Sequence, residues 1–161
     1  MCRILETFVV KPDAKGRLAL PSALRRALGE ERMAGGFYIR RSMQQTCLEM
    51  YDSQMWEAEL VKIQRLNPYL REHRNFIRRF MAGVRFVEVD AVGRVHVPVD
   101  LAQWAHFAHE VVLSPVGTFF ELWDKTLYEQ ALSRDEDSYA DLGEKLMGSF
   151  AAGDAPCDPP K

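Results

Sequence analysis

The feature that most constrains this 161-residue chain is a turn that occurs twice. Asp13-Ala14-Lys15-Gly16-Arg17-Leu18-Ala19-Leu20-Pro21 returns 77 residues later as Asp90-Ala91-Val92-Gly93-Arg94-Val95-His96-Val97-Pro98. Asp, Ala, Gly, Arg and Pro recur in register, with an alternating apolar strand between the arginine and the proline. A second pair follows: Cys47-Leu48-Glu49-Met50-Tyr51-Asp52 is echoed 72 residues on by Phe119-Phe120-Glu121-Leu122-Trp123-Asp124. Two anchor pairs in the same order mark a duplicated supersecondary unit, so neither copy has to bury a core alone.

Local patterning reads the same way in both copies. Residues 4–10, rich in Ile, Val, Phe and Thr, predict a strand. Lys11 to Gly16 is a turn, in which Pro12 fixes φ and Gly16 takes the positive φ that closes a bulged hairpin. A strand resumes at Leu18. Pro21 then opens a short helix with Leu24 and Leu28 on one face, and Gly29 ends it. Two strands follow near 37–41 and 46–51. The second copy repeats this with a strand to Val89, a strand to Val97, a short helix near 99–107, and strands near 110–114 and 119–123. Between the copies, helices over 53–66 and 69–82 break at Asn67-Pro68, with Asp52 or Ser53 capping the first. A final helix over 125–147 breaks near Ser133. The expected organisation is a first repeat (3–52), linker helices (53–83), a second repeat (84–124), a helical segment (125–147) and a disordered tail (148–161). The whole is an α+β chain whose copies pair across a pseudo-two-fold axis into one barrel.

Composition narrows the function. No apolar run approaches the ~20 residues of a membrane span, and the N-terminal residues carry no secretory pattern. Cys2, Cys47 and Cys157 are odd in number and widely spaced, which predicts reduced thiols rather than a disulfide framework or a zinc site. The net charge of −2 conceals an asymmetry: residues 1–85 carry +7 and residues 86–161 carry −9. A basic half points to a polyanionic partner, and Arg71, Arg74, Arg78 and Arg79 form a cluster that a solvated helix face also explains.

Candidate binding residues follow from the doubled turn. Arg17 stands at a hairpin end with Lys15 beside it, Lys11 on the flank and Arg3 on the preceding segment, a cationic group suited to phosphate oxygens and base edges. Asp13, Gly16, Asp90 and Gly93 are turn-structural, each aspartate pairing with the arginine four residues on. Arg94 is the second-copy equivalent of Arg17, but Val92 replaces Lys15, so the first copy is the better nucleic-acid candidate. Glu49 and Glu121 recur at equivalent places. They read as structural residues of the duplicated unit or, more sharply, as partners of an arginine such as Arg17 across subunits. Catalysis finds no motif: there is no phosphate loop or nucleophile elbow, and His106 and His109, which could share a helix face, lack a third metal ligand. Neither a cofactor nor a metal is expected.

The doubled Asp-x-x-Gly-Arg turn followed by Leu-Pro or Val-Pro resembles the MraZ family of bacterial transcriptional regulators. So do Glu-Met-Tyr-Asp-x-x-x-Trp (49–56), Glu-Leu-Trp-Asp-x-x-x-Tyr (121–128) and Arg-Arg-Phe-Met-Ala-Gly (78–83). The resemblance spans roughly residues 3–130. It implies a duplicated AbrB-like swapped-hairpin barrel with flanking helices, and a cytoplasmic, nucleoid-associated homo-oligomeric ring of eight or twelve subunits. It further implies binding to direct repeats in the promoter of the division and cell wall gene cluster, including the protein's own operon. Its DNA-contacting arginine maps onto Arg17, with Arg94 the counterpart. The second short helix lacks the arginine that the first copy keeps as Arg25. The competing readings are an AbrB-type DNA-binding antitoxin with a toxin partner, an enzyme using Glu49, Glu121 and a histidine, and a purely structural ring.

Overall fold

In the computed structural model, which describes residues 6–134 and 136–148, each copy contributes four strands. The first holds β1 (Phe8–Val10), β2 (Arg17–Ala19), β3 (Phe37–Arg41) and β4 (Leu48–Asp52). The second holds β5 (Arg85–Val87), β6 (Arg94–His96), β7 (Val111–Val116) and β8 (Phe119–Asp124). Helices α1 (Ser22–Leu28) and α2 (Glu30–Ala34) follow β2, and α5 (Val99–Trp104) follows β6. Helices α3 (Ser53–Gln64) and α4 (Arg71–Met81) link the copies, and α6 (Lys125–Arg134) and α7 (Glu136–Met147) follow the second.

Strand exchange is the organising fact. β1 of the first copy pairs antiparallel with β7 of the second, and β5 of the second pairs with β3 of the first. Each copy therefore completes the other's hairpin, as the resemblance implies. The pseudo-two-fold axis passes through two strand pairs. In the β2–β6 pair Leu18 faces Val95, and in the β4–β8 pair Glu49 faces Glu121; both couples are sequence equivalents.

The strands do not close into one hydrogen-bonded barrel. They form a six-stranded antiparallel sheet in the order β1-β7-β8-β4-β3-β5 and a separate two-stranded ribbon, β2-β6, whose Val95 also bridges to Val89 in the segment between β5 and β6. Prolines bound the ribbon: the N–H groups of Leu20 and Val97 still bond to the Gly93 and Gly16 carbonyls at 3.0 and 3.4 Å, but Pro21 and Pro98, which follow, have no N–H to continue the pairing. The gap is closed by packing. Leu18, Leu20, Leu24, Val95, Val97 and Leu101 are buried in one core with Phe37, Ile39, Met50, Leu113 and Leu122 of the large sheet. A buried side chain of this size contributes about 1.5–3 kcal/mol relative to an exposed one, so both copies are bound into one cooperative core.

The helices dock through aromatic residues. Trp56 of α3 stacks on Tyr38 at 5.2 Å and on Phe80 of α4 at 5.8 Å between ring centroids. Asp52 caps α3, its Oδ1 accepting from the Met55 N–H at 2.9 Å, while its Oδ2 lies 2.8 Å from Arg32. α6 covers Trp123, Val112 and Cys47 with Leu127 and Tyr128.

Several expectations need correction. The short helix after β6 ends at Trp104, so His106 and His109 share no helix face. It ends early because the N–H of His106 bonds to the Gln103 carbonyl and that of Phe107 to the Ala102 carbonyl, a Schellman closure with His106 at φ 59°. Helix α2, with the single buried residue Met33, was not expected. Arg3, Cys2, Cys157 and the stretch 149–161 lie outside the described residues. Among the described residues, no helix is long and apolar enough to cross a membrane.

Candidate nucleic-acid interface

The two turns are built alike, atom by atom. In the first, Asp13 Oδ1 accepts from the N–H groups of Lys15 and Arg17, both at 2.9 Å, and Oδ2 accepts from Arg17 Nε at 2.7 Å. In the second, Asp90 Oδ1 accepts from Val92 at 3.0 Å and Arg94 at 2.9 Å, and Oδ2 from Arg94 Nε at 2.7 Å. Gly16 and Gly93 sit at φ 77° and 82°, a conformation that costs other L-residues about 1–2 kcal/mol and that closes each turn. One carboxylate thus satisfies the turn and aims an arginine.

The electrostatics follow from these bonds. The backbone N–H of Arg17, then its side chain and the N–H of Lys15, hold the Asp13 carboxyl down to about 2. The Asp90 carboxyl is lowered in the same way, chiefly by the Arg94 backbone N–H. Both carboxylates are thereby favoured in the ionised form. Each aspartate engages its arginine through Nε, so the terminal nitrogens of the guanidinium are not used by that aspartate's hydrogen bonds.

The ribbon then brings the turns together. Arg17 faces His96 and Ala19 faces Arg94 across β2 and β6, and since Leu18 and Val95 point into the core, these four residues occupy the outer face. Arg94 Nη1 approaches Asp13 Oδ2 to 3.8 Å, so Asp13 stands between the arginines of both copies. Lys11 and Lys15 are exposed on the first turn and its flank. The structure therefore sets Arg17 and Arg94 on one face of the ribbon, with Lys15 exposed on the turn that leads into it.

The recurring glutamates lie elsewhere. Glu49 and Glu121 face each other across β4 and β8, yet they are partnered differently. Glu49 is buried; its Oε1 accepts from Arg40 Nη2 at 3.0 Å and from the Tyr51 hydroxyl at 2.6 Å. Burial and the neighbouring carboxylate push the Tyr51 phenol up from its ordinary range. Glu121 accepts from Trp123 Nε1 at 3.1 Å and from the Cys47 thiol at 3.5 Å, and burial pushes that thiol up as well. The cation beside Glu49 is thus Arg40 of its own chain, also stacked 4.0 Å above the Phe80 ring. A groove of about 480 Å³ beside Arg40, Arg41, Arg79 and Trp104 is lined by neither glutamate. Among the described residues, no cluster of three or more His, Cys, Asp or Glu is placed to hold a metal.

Two residues escaped the sequence reading. Arg40 alternates within an apolar strand and gives no local sign that it will meet Glu49. Arg25 was visible only as an asymmetry between the short helices; in the fold it lies against the second turn.

The chain matches the family model described as "MraZ protein, putative antitoxin-like" twice, over residues 4–79 and 80–149. It is 42% identical over 149 residues to "Transcriptional regulator MraZ" of Flavobacterium psychrophilum, covering 92% of this chain and 94% of the relative. A protein of the same name from Christiangramia forsetii is 43% identical over 92% of this chain and 96% of its own length. The one from Bifidobacterium longum is 33% identical over 89% and 92%. With both copies of its repeat matched and these identities running through most of its length, the chain belongs to the MraZ family.

Proposed function

We propose that the chain regulates transcription by holding double-stranded promoter DNA on the outer face of the β2–β6 ribbon, with Arg17 as the leading contact. Lys15, Lys11 and Arg3 add positive charge to this half of the sequence, and Arg94 lies on the same ribbon face as Arg17. The observation that carries this reading is the juxtaposition of two aspartate-aimed arginines, one from each copy, on an exposed two-stranded ribbon. B-DNA's major groove, about 12 Å wide, admits such a ribbon, and a guanidinium presenting two donors matches O6 and N7 of guanine. The family's relatives are named as transcriptional regulators, not enzymes, and the catalytic reading has no support in the site.

A few cations per subunit give weak, salt-sensitive binding, because each neutralised phosphate steepens the dependence of log K on log salt by only about 0.9. A ring of eight or twelve subunits presenting copies of the ribbon to direct repeats raises the effective concentration of each contact. Large exposed apolar residues favour such assembly: Tyr69, Leu70 and Phe76 around α4, and Tyr139, Leu142 and Met147 on α7. In this reading the protein is cytoplasmic and nucleoid-associated, and its target is the promoter of the division and cell wall gene cluster that includes its own operon. A gel shift with the DNA upstream of its own gene tests it. The wild type retards that fragment and Arg17→Ala, of unchanged native mass, does not; undiminished retardation by the assembled variant refutes it.

The wording "antitoxin-like" in the family description favours one second reading, a DNA-binding antitoxin covering a toxin. Co-purification of a small toxic partner encoded beside the gene is its distinguishing result.

A further inference from the structure

We propose that the groove between α4, the end of β3 and the end of α5 is a binding site for a small, planar, phosphate-bearing ligand of the ribonucleoside monophosphate class. Its volume of about 480 Å³ falls within the range of about 300–1,000 Å³ usual for small-molecule sites. Arg40 and Arg41 come from β3, Phe76 and Arg79 from α4, and Trp104 from α5, so the first copy, the linker and the second copy all contribute. Among the described residues that line it, none is an aspartate or a glutamate, and none belongs to the β2–β6 ribbon.

The cations of the groove are not used up by the fold. Among the described residues, neither Arg41 nor Arg79 enters an ion pair. Arg41 lies 5.3 Å from the centre of the Trp104 ring, and Arg79 is exposed. Arg40 is buried, and its donors are only partly satisfied. Nη2 donates to Glu49 at 3.0 Å, Nη1 reaches the Phe80 carbonyl only at 3.5 Å, and Nε is buried with no acceptor. A buried charged donor without an acceptor is rare and costly, and an arginine fork matches phosphate oxygens. Phe76, 41% exposed, and the half-buried Trp104 supply aromatic surface, on which the π-face of any base can stack.

The duplication shows that the sheet does not require this chemistry. Glu49 faces Arg40, whereas its counterpart Glu121 faces Ser114. One residue on, Arg41 faces Leu48, whereas Pro115 faces Phe120. In the register that aligns the two turns, Trp104 corresponds to Ala27. The second copy thus builds the same ladder with a serine and a proline, and α1 forms with an alanine. The two arginines and the tryptophan set the groove apart from the repeat.

Isothermal titration of the assembled protein with AMP, GMP, CMP and UMP in turn tests the assignment. At least one of them binds, with a Kd of about 10–100 μM, and raises the thermal midpoint. Its nucleoside and inorganic phosphate, each carrying part of the chemistry, bind at least roughly 10-fold more weakly. Arg41→Ala and Arg79→Ala, at exposed positions, weaken the nucleotide by roughly 10-fold with native mass retained. Arg17→Ala binds it as the wild type does. Four nucleotides without a heat of binding up to about 1 mM, or inorganic phosphate binding as tightly as the nucleotide, overturns the inference. So does an affinity unchanged in both groove variants, or one lost in Arg17→Ala, which would move the ligand to the ribbon.

Discussion

The buried pair Arg40–Glu49 offers the sharpest test of how the linker helices are held to the sheet. Arg40 is 3% exposed and Glu49 6%. Glu49 has two donors, Arg40 Nη2 at 3.0 Å and the Tyr51 hydroxyl at 2.6 Å, and Arg40 is also stacked on Phe80 of α4. Substituting Arg40→Leu leaves the buried carboxylate with Tyr51 alone, and removing one partner of such a pair costs about 3–5 kcal/mol. For a chain of this size each kilocalorie shifts the thermal midpoint by roughly 2–4 °C, so the variant should melt roughly 6–20 °C lower. Glu49→Leu, which strands the arginine, should cost a similar amount. The double substitution Arg40→Leu/Glu49→Leu removes both charges and should recover most of the loss, because a buried ion pair and a packed apolar pair are often of similar stability. Thermal and urea unfolding followed by circular dichroism, at fixed protomer concentration, measure all four corners. Single variants costing under about 1 kcal/mol, or a double variant as unstable as the sum of the singles, would refute the reasoning.

Other consequences follow from the turns and caps. Asp13 and Asp90 have lowered pKa values in the folded chain, so their contribution to stability is present above the unfolded value of 3.8 and is lost as pH falls through the folded value, about 2 for Asp13. Asp13→Asn should therefore flatten the acid limb of the stability profile below pH 4 and leave its shape near neutrality unchanged. His106 at φ 59° closes α5 in a position where glycine is at ease, so His106→Gly should stabilise the protein by about 0.5–1 kcal/mol in urea melts. Gly16→Ala and Gly93→Ala should each lose about 1–2 kcal/mol from the positive φ. Only Gly93→Ala also crowds Arg25, so it should lose more stability in urea melts than Gly16→Ala.

The fold was legible where the repeat made it so. Equivalent residues that face each other across a strand pair, Leu18 with Val95 and Glu49 with Glu121, are what a duplicated unit with strand exchange produces. Barrel closure was not legible. It depends on whether β2 and β6 extend their pairing, and the prolines flanking them stop it. Helix α2 buries only Met33 and is too short to show a period. At the site, Asp13, Gly16 and Arg17 announced themselves through local turn chemistry. Arg40 and Arg25 did not, since their partners lie on elements that only the tertiary fold brings near. Arg25 left one trace, an arginine present in one copy and absent from the other.

Among the described residues, two cationic surfaces are candidates for the proposed DNA face: the ribbon, and α4 with its exposed Arg71, Arg74, Arg78 and Arg79. Arg17→Ala should keep its turn, because Asp13 still accepts the N–H groups of residues 15 and 17. The equilibrium constant for the upstream DNA, measured side by side for Arg17→Ala and for Arg74→Ala/Arg78→Ala in assemblies of wild-type mass, decides between them. Loss of binding in Arg17→Ala with binding largely kept in the α4 variant is the predicted result; the reverse would place the DNA on α4 and contradict the account.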